Sequence, residues 1–174
     1  MSGLAARLVA CLRVLGVEPR VGSVGSRIVL QKLAYLIQAS GVELGLRFRW
    51  YLFGPYCREL TRSIYDEGLV YEEGEVPRLS EDEVEKLGRL RQFLGEHVDD
   101  TYFLELFASL HYARRVGLEL GIPRDELLGA FLRRKPHFKR PDVEEAWRLL
   151  EEFERVFGRP EIVNGSARRK IDIV

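Results

Sequence analysis

Arg58 and Arg62 stand four residues apart, and on a helix that spacing turns both guanidinium groups to one side. Such a pair can contact successive phosphates, and Lys32 and Arg49 would join it in a winged-helix layout. The competing reading is that Glu59, Asp66 and Glu67 balance the two arginines on an ordinary solvated face. Tyr35, Tyr51 and Tyr56, with Trp50, gather around the Gly54-Pro55 step. Rings in that arrangement stack a base, seat a partner's side chain, or simply fill the core. Cys57 falls beside Arg58 in the expected first helical turn, where the macrodipole and a cation favour a thiolate. No histidine or acid can be assigned to it as a partner, so its chemistry stays an outline.

A second cationic group, Arg133, Arg134, Lys135, Lys139 and Arg140, forms the densest basic run of the chain. It is expected between two helices and can bind an anion or RNA, or else is solvated loop charge balanced by Glu144 and Glu145. His97, His111 and His137 are single and far apart, without the paired spacing of zinc sites, so no metal is expected. The chain has no phosphate-binding glycine loop, no Gly-x-Ser-x-Gly elbow and no carboxylate pair in an arrangement that supports acid-base chemistry. No catalytic residue or cofactor follows, and a non-enzymatic protein is expected.

The elements that must position these groups are read from periodicity. Leu4, Leu8, Cys11, Leu12 and Leu15 lie on one face of a first helix. After a glycine-rich connection, residues 16–25, Ser26 can cap a second helix ending near Ser40. Val29, Leu30, Leu33, Leu36 and Ile37 face its core side, with Gln31, Lys32, Tyr35 and Gln38 on or near the other. Residues 47–53 alternate with period two and read as a strand, and Gly54-Pro55 ends it and opens a third helix closed by Gly68. Residues 69–71 and 76–79 flank the acidic turn Glu72-Glu73-Gly74-Glu75 and read as a hairpin. Helix, helix, strand, helix, hairpin is the order of a winged-helix variant.

Ser80 and Glu83 give a capping box for a fourth helix, and Asp99 or Asp100 opens a fifth. Residues 123–134 and 141–157 give a sixth and a seventh. The expected fold class is therefore mainly α with a small β component. A winged-helix-like unit over residues 1–80 precedes an all-helical segment over residues 81–158, and a tail over residues 159–174 holds a docking strand at residues 171–174.

The segment VLQKLAYLIQASGVELGLRFRWYLFGPYCRELTRSIYDEGLV, residues 29–70, resembles the YwgA-like family. In that family a Leu-Gln-Lys helix leads to an aromatic strand, a Tyr-Gly-Pro-Tyr-Ser step and a Glu-Leu helix. More distantly the segment is similar to the Panacea domains of toxin-antitoxin systems, through Lys32-Leu33-Ala34-Tyr35 and Gly54-Pro55. ELFASLHYARR and RRKPHFKRPDVEEAWRLL extend the resemblance over most of the chain, with Gly-Pro-Tyr as its specific core. Phe53 and Cys57 stand where the family has tyrosine and serine. The YwgA-like resemblance implies a fold more than an activity, and the Panacea resemblance implies antitoxin-like binding of a partner protein.

Lysine plus arginine and aspartate plus glutamate number 27 each in 174 residues. Zero formal charge leaves no global field toward nucleic acid or an anionic membrane, so any such binding needs a local patch. Residues 1–70 hold nine basic and five acidic groups, and residues 71–110 hold four and eleven. The first helix carries Arg7 and Arg13 where a secretion signal would be unbroken, and no run of about 18 apolar residues occurs. A cytoplasmic protein without a membrane span is expected. Cys11 and Cys57 then stay reduced, and the sequon at Asn164 is irrelevant. Arginine far exceeds lysine and Asn164 is the one asparagine, a bias of heat-adapted proteins. The functional expectation is an interaction module, antitoxin-like or adaptor, for a toxin-like partner protein. The alternative is a winged-helix DNA- or RNA-binding regulator, which the acidic wing disfavours.

Overall fold

The computed structural model describes residues 3–160. The order is α1 (Leu4–Leu15), α2 (Val24–Ala39), β1 (Arg49–Tyr51), β2 (Gly54–Tyr56), α3 (Arg58–Glu67), α4 (Glu81–Leu94), α5 (Thr101–Leu120), α6 (Arg124–Arg134) and α7 (Arg140–Phe157). The described residues are thus mainly α with one two-stranded antiparallel sheet. The tail over residues 161–174, including the expected docking strand, lies outside the described residues.

Helix boundaries follow local chemistry. Ser80 and Glu83 close a reciprocal capping box on α4, and Asp100 accepts from the Phe103 amide at the start of α5. Each cap is worth about 1 kcal/mol. Helix α2 starts earlier than expected, because Ser23 is the cap and Ser26 is its capping-box partner three residues on. One core cluster runs from Leu8 and Leu12 on α1 through Leu33 and Leu36 on α2 and Phe107 and Leu110 on α5 to Phe153 on α7. The segments 1–80 and 81–158 therefore share a hydrophobic core. Helix α5 is its axis: residues 104–110 are all buried, and the helix packs against α2, α6 and α7.

Two expectations around the Gly-Pro step are corrected. Gly54 and Pro55 do not open the helix; they form β2, paired Trp50 to Pro55 and Tyr51 to Gly54. The turn at Leu52-Phe53 needs the positive φ of Gly54, 91°, and proline loses nothing in a two-stranded ribbon where its missing donor has no partner strand to serve. The helix waits until Arg58 because Cys57 is held extended by Gln31, which accepts from the Cys57 amide at 2.9 Å and donates to its carbonyl at 3.0 Å.

The expected hairpin behind α3 is not formed. Residues 69–71 and 76–79 hold no strand: Arg13 takes the Tyr71 carbonyl, Glu72 and Glu75 close a local turn, and Pro77 lacks a donor. The only sheet among the described residues therefore precedes α3, where a winged helix has its flap after it. Ahead of β1, Val42, Leu44 and Leu46 alternate inward along an unpaired extended segment, fixed by Gln38, which both accepts from and donates to the Leu46 backbone.

Candidate binding face around the hairpin

The second stripe of α2 carries the hairpin. Gln31, Lys32 and Tyr35 are buried there, so the side expected to be polar and outward is an internal anchoring surface. Besides holding Cys57, Gln31 donates to Thr61 Oγ1 on α3 at 2.9 Å. Lys32, 2% exposed, donates Nζ to the Pro55 carbonyl at 2.8 Å. Burial pushes its pKa down to about 7, helped by Lys135 and opposed by Glu105. Tyr35 pairs its hydroxyl with His111 Nδ1 at 2.7 Å inside the core, where burial pushes the imidazole down to about 3 and keeps it neutral. Tyr35 is therefore a core residue and not a contact residue.

A second lysine holds the hairpin from below. Lys135, buried at the end of α6, donates to the Leu52 carbonyl at 3.0 Å and to Glu105 Oε1 at 2.9 Å. Its ammonium lies 5.3 Å from the Trp50 ring centroid, and His137 Nε2 reaches the same carboxylate oxygen at 3.1 Å. Burial lowers the Lys135 pKa while Glu105 supports its charge. Lys135 is thus removed from the basic run expected to bind an anion, because its charge is spent inside. Arg133, Arg134, Lys139 and Arg140 remain exposed, and Arg140 lies 3.7 Å from Glu144.

With its base fixed, the hairpin presents apolar groups to solvent. Tyr51 is 64% exposed, Leu52 72% and, across the gap on α3, Tyr65 64%. Between hairpin, α2 and α3 lies a cavity of about 370 Å³, lined by Val24, Ile28, Tyr51, Phe53, Tyr56 and Ile64 among others, with Arg27 and Lys32 also in its wall. Tyr51 and Tyr56 stack obliquely at 5.4 Å. The register Arg49 to Tyr56 puts Arg49 on that same face, while Trp50 turns inward onto Tyr112 and Phe131.

Arg58 and Arg62 are exposed on α3, beside the cavity-lining Thr61 and Tyr65. Neither they nor Arg27 and Arg49 form an ion pair with a carboxylate among the described residues. Of the expected partners Glu59, Asp66 and Glu67, none forms an ion pair with either arginine among the described residues, and Glu67 instead accepts from Ser63. Hydrogen bonds from its own backbone amide and from the Cys57 thiol hold the Glu59 carboxyl below the ordinary range, with smaller help from the nearby Arg49 and Arg58.

The Cys57 environment is the reverse of an activated thiol. Cys57 caps α3 instead of entering its first turn, is fully buried, and donates its thiol to Glu59 at 3.2 Å. Burial raises its pKa, with a smaller contribution from the Glu59 carboxylate. No cluster of three metal-ligating side chains exists among the described residues, and none of their helices is long and apolar enough to cross a membrane.

Sequence reasoning missed Gln31 and Gln38 as anchors, Phe53 and Tyr65 as walls and Glu105 as the buried counter-ion. A legible signal was present for the first pair: polar residues at positions 31, 35 and 38 of a helix whose other stripe is fully apolar mark a helix packed on both sides. No protein-family model matches the chain, and neither a curated protein nor a solved structure is similar to it.

Proposed function

We propose that this chain is a non-enzymatic interaction module, antitoxin-like or adaptor in kind, acting in the cytoplasm and binding a partner protein through the face made by the β1–β2 hairpin and α3. The observation that carries this reading is the exposure of Tyr51, Leu52 and Tyr65 around an open cavity, on a hairpin whose base is tied down by two buried lysines and a glutamine. Contiguous exposed apolar groups mark interaction surfaces, and a rigid one loses little entropy on binding. The Panacea-like Lys32-Leu33-Ala34-Tyr35 and Gly54-Pro55 elements, and the balanced net charge, support protein as the partner class.

The test is site-specific photo-cross-linking in native extract, with the photoreactive residue at Leu52 or, as a control, at the exposed Val84 of α4. A discrete cross-linked and co-purified protein from Leu52 alone is expected. Recovery of the chain always by itself, or equal capture from both positions, counts against the proposal.

A nucleic-acid reading rests on Arg58 and Arg62, four apart, exposed and in no ion pair among the described residues. Affinity for a duplex or single strand would then fall by about an order of magnitude or more between low and moderate salt. Glu72, Glu73 and Glu75 directly after α3 oppose a long polyanion, which ranks this reading second. Absence of retention at low salt, or no change on replacing both arginines, dismisses it.

A further inference from the structure

We infer that the cavity between α2, α3 and the hairpin is a side-chain pocket for an acidic peptide segment of the partner, seating one aromatic or bulky aliphatic side chain whose flanking carboxylates meet Arg27, Arg49, Arg58 and Arg62. The inference rests on the protein-binding reading and adds the chemistry of what is bound.

Three observations carry it. First, the volume, about 370 Å³, lies at the small end of ligand pockets, roughly 300–1,000 Å³, and suits one or two side chains better than a cofactor. Second, its wall combines Val21, Val24, Ile28 and Ile64 with Tyr51 and Phe53, a lining shaped for a side chain of any apolar geometry and not for planar stacking alone. Third, the charge at its rim is mainly positive: Arg27 belongs to the wall, Arg58 and Arg62 flank Thr61 and Tyr65, Glu59 stands beside Arg58 outside the lining, and no carboxylate is among the described lining residues. Arg27 is fixed by donating to the Val21 carbonyl at 3.0 Å, so its charge is placed at the wall with no ion-pair partner among the described residues. An apolar side chain with neighbouring carboxylates satisfies both halves of this surface. A nucleic-acid strand satisfies the charge, but the chain that follows α3 carries Glu72, Glu73 and Glu75, which disfavour an extended polyanion.

The experiment uses the full chain and fluorescence anisotropy with short blocked peptides. The reference probe carries one phenylalanine flanked on both sides by glutamates. Its companions replace the phenylalanine by alanine or the glutamates by lysines, and an oligothymidylate serves as the polyanion. Saturable binding of the reference probe is expected, weakened about tenfold or more by either peptide change and by added salt. Arg58→Glu with Arg62→Glu should reverse the preference toward the lysine-flanked peptide, an effect that loss of folding cannot produce. Val24→Trp, at a half-exposed wall position, should block the pocket and abolish discrimination between phenylalanine and alanine while the melting curve stays intact.

Equal binding of all peptides, tighter binding of oligothymidylate than of the reference probe, or indifference to both variants overturns the inference. A partner captured at Leu52 that is not displaced by the reference probe also overturns it, while leaving the protein-binding reading in place. Failure of capture as well removes both.

Discussion

Replacing Gly54 by alanine probes the contact on which the hairpin's placement depends. Gly54 has φ of +91°, and an added Cβ would lie 2.0 Å from Ser109 Oγ and 3.1 Å from Ser109 Cβ. The left-handed conformation costs a residue with a Cβ about 1–2 kcal/mol. Relieving the collision takes rotation of the Ser109 hydroxyl and a small shift of the strand off α5, an overpacking of roughly 1–3 kcal/mol. Together these give about 3 kcal/mol, or a fall of roughly 1–2 M in the urea midpoint at an ordinary denaturant slope. Ser109 allows the two causes to be separated. Its hydroxyl is buried and has no hydrogen-bond partner among the described residues, so Ser109→Ala alone should be neutral or stabilising by up to about 1 kcal/mol. In the Ser109→Ala background the steric part of the Gly54→Ala penalty shrinks while the φ part persists, leaving a coupling of about 1 kcal/mol. Urea unfolding of the four proteins measures this cycle. A Gly54→Ala midpoint indistinguishable from wild type, or strict additivity, would refute the proposed close packing of hairpin on α5.

Three further outcomes follow from the buried polar groups. Gln31→Ala removes the hydrogen bonds to Cys57 and Thr61 and leaves buried backbone groups unpaired; a loss of about 2–4 kcal/mol in unfolding free energy is expected, along with loss of cross-linking from Leu52. Lys32 binds its proton more weakly folded, about 7, than at its ordinary 10.5, so the unfolded chain holds more protons between those values and stability rises with pH through that window. The slope is at most about 1.4 kcal/mol per pH unit, and the rise between pH 7 and 8.5 should flatten in Lys32→Met, as followed by chemical denaturation at each pH; an unchanged slope contradicts a neutralised Lys32. Burial raises the pKa of both thiols, that of Cys11 to about 11, so a disulfide exchange reagent at pH 8 should label the folded chain far more slowly than free cysteine and fully after denaturation.

Local signals survived into the structure wherever one element could be judged alone. The capping box at Ser80 and Glu83, the left-handed Gly16 that ends α1 and the alternation of Arg49, Trp50 and Tyr51 are decided by neighbours in sequence. The Gly-Pro step was ambiguous for a physical reason: a proline φ near −65° fits both a first helical turn and an edge strand. What decides between them is the capture of the Cys57 backbone by Gln31 and of the Pro55 carbonyl by Lys32, 26 and 23 residues away in sequence. The acidic hairpin failed for a related reason, since β propensity in residues 69–71 and 76–79 needs a surface to pack on, and Arg13 takes the Tyr71 carbonyl instead.

The candidate site shows the same division. Arg58 and Arg62 were legible because their helical spacing and exposure are local properties, whereas Lys32, Tyr35 and Lys135 carried residue types that read as surface and proved internal. A buried lysine is unfavourable unless it meets an acceptor that would otherwise be orphaned, and both lysines meet carbonyls of the hairpin, at Pro55 and at Leu52. Apolar residues at those two positions could fill the space but would leave the carbonyls unpaired and the short hairpin untied, since two three-residue strands do not hold themselves in water. The cost of burying two lysines is therefore coupled to keeping Tyr51, Leu52 and Phe53 in one fixed presentation.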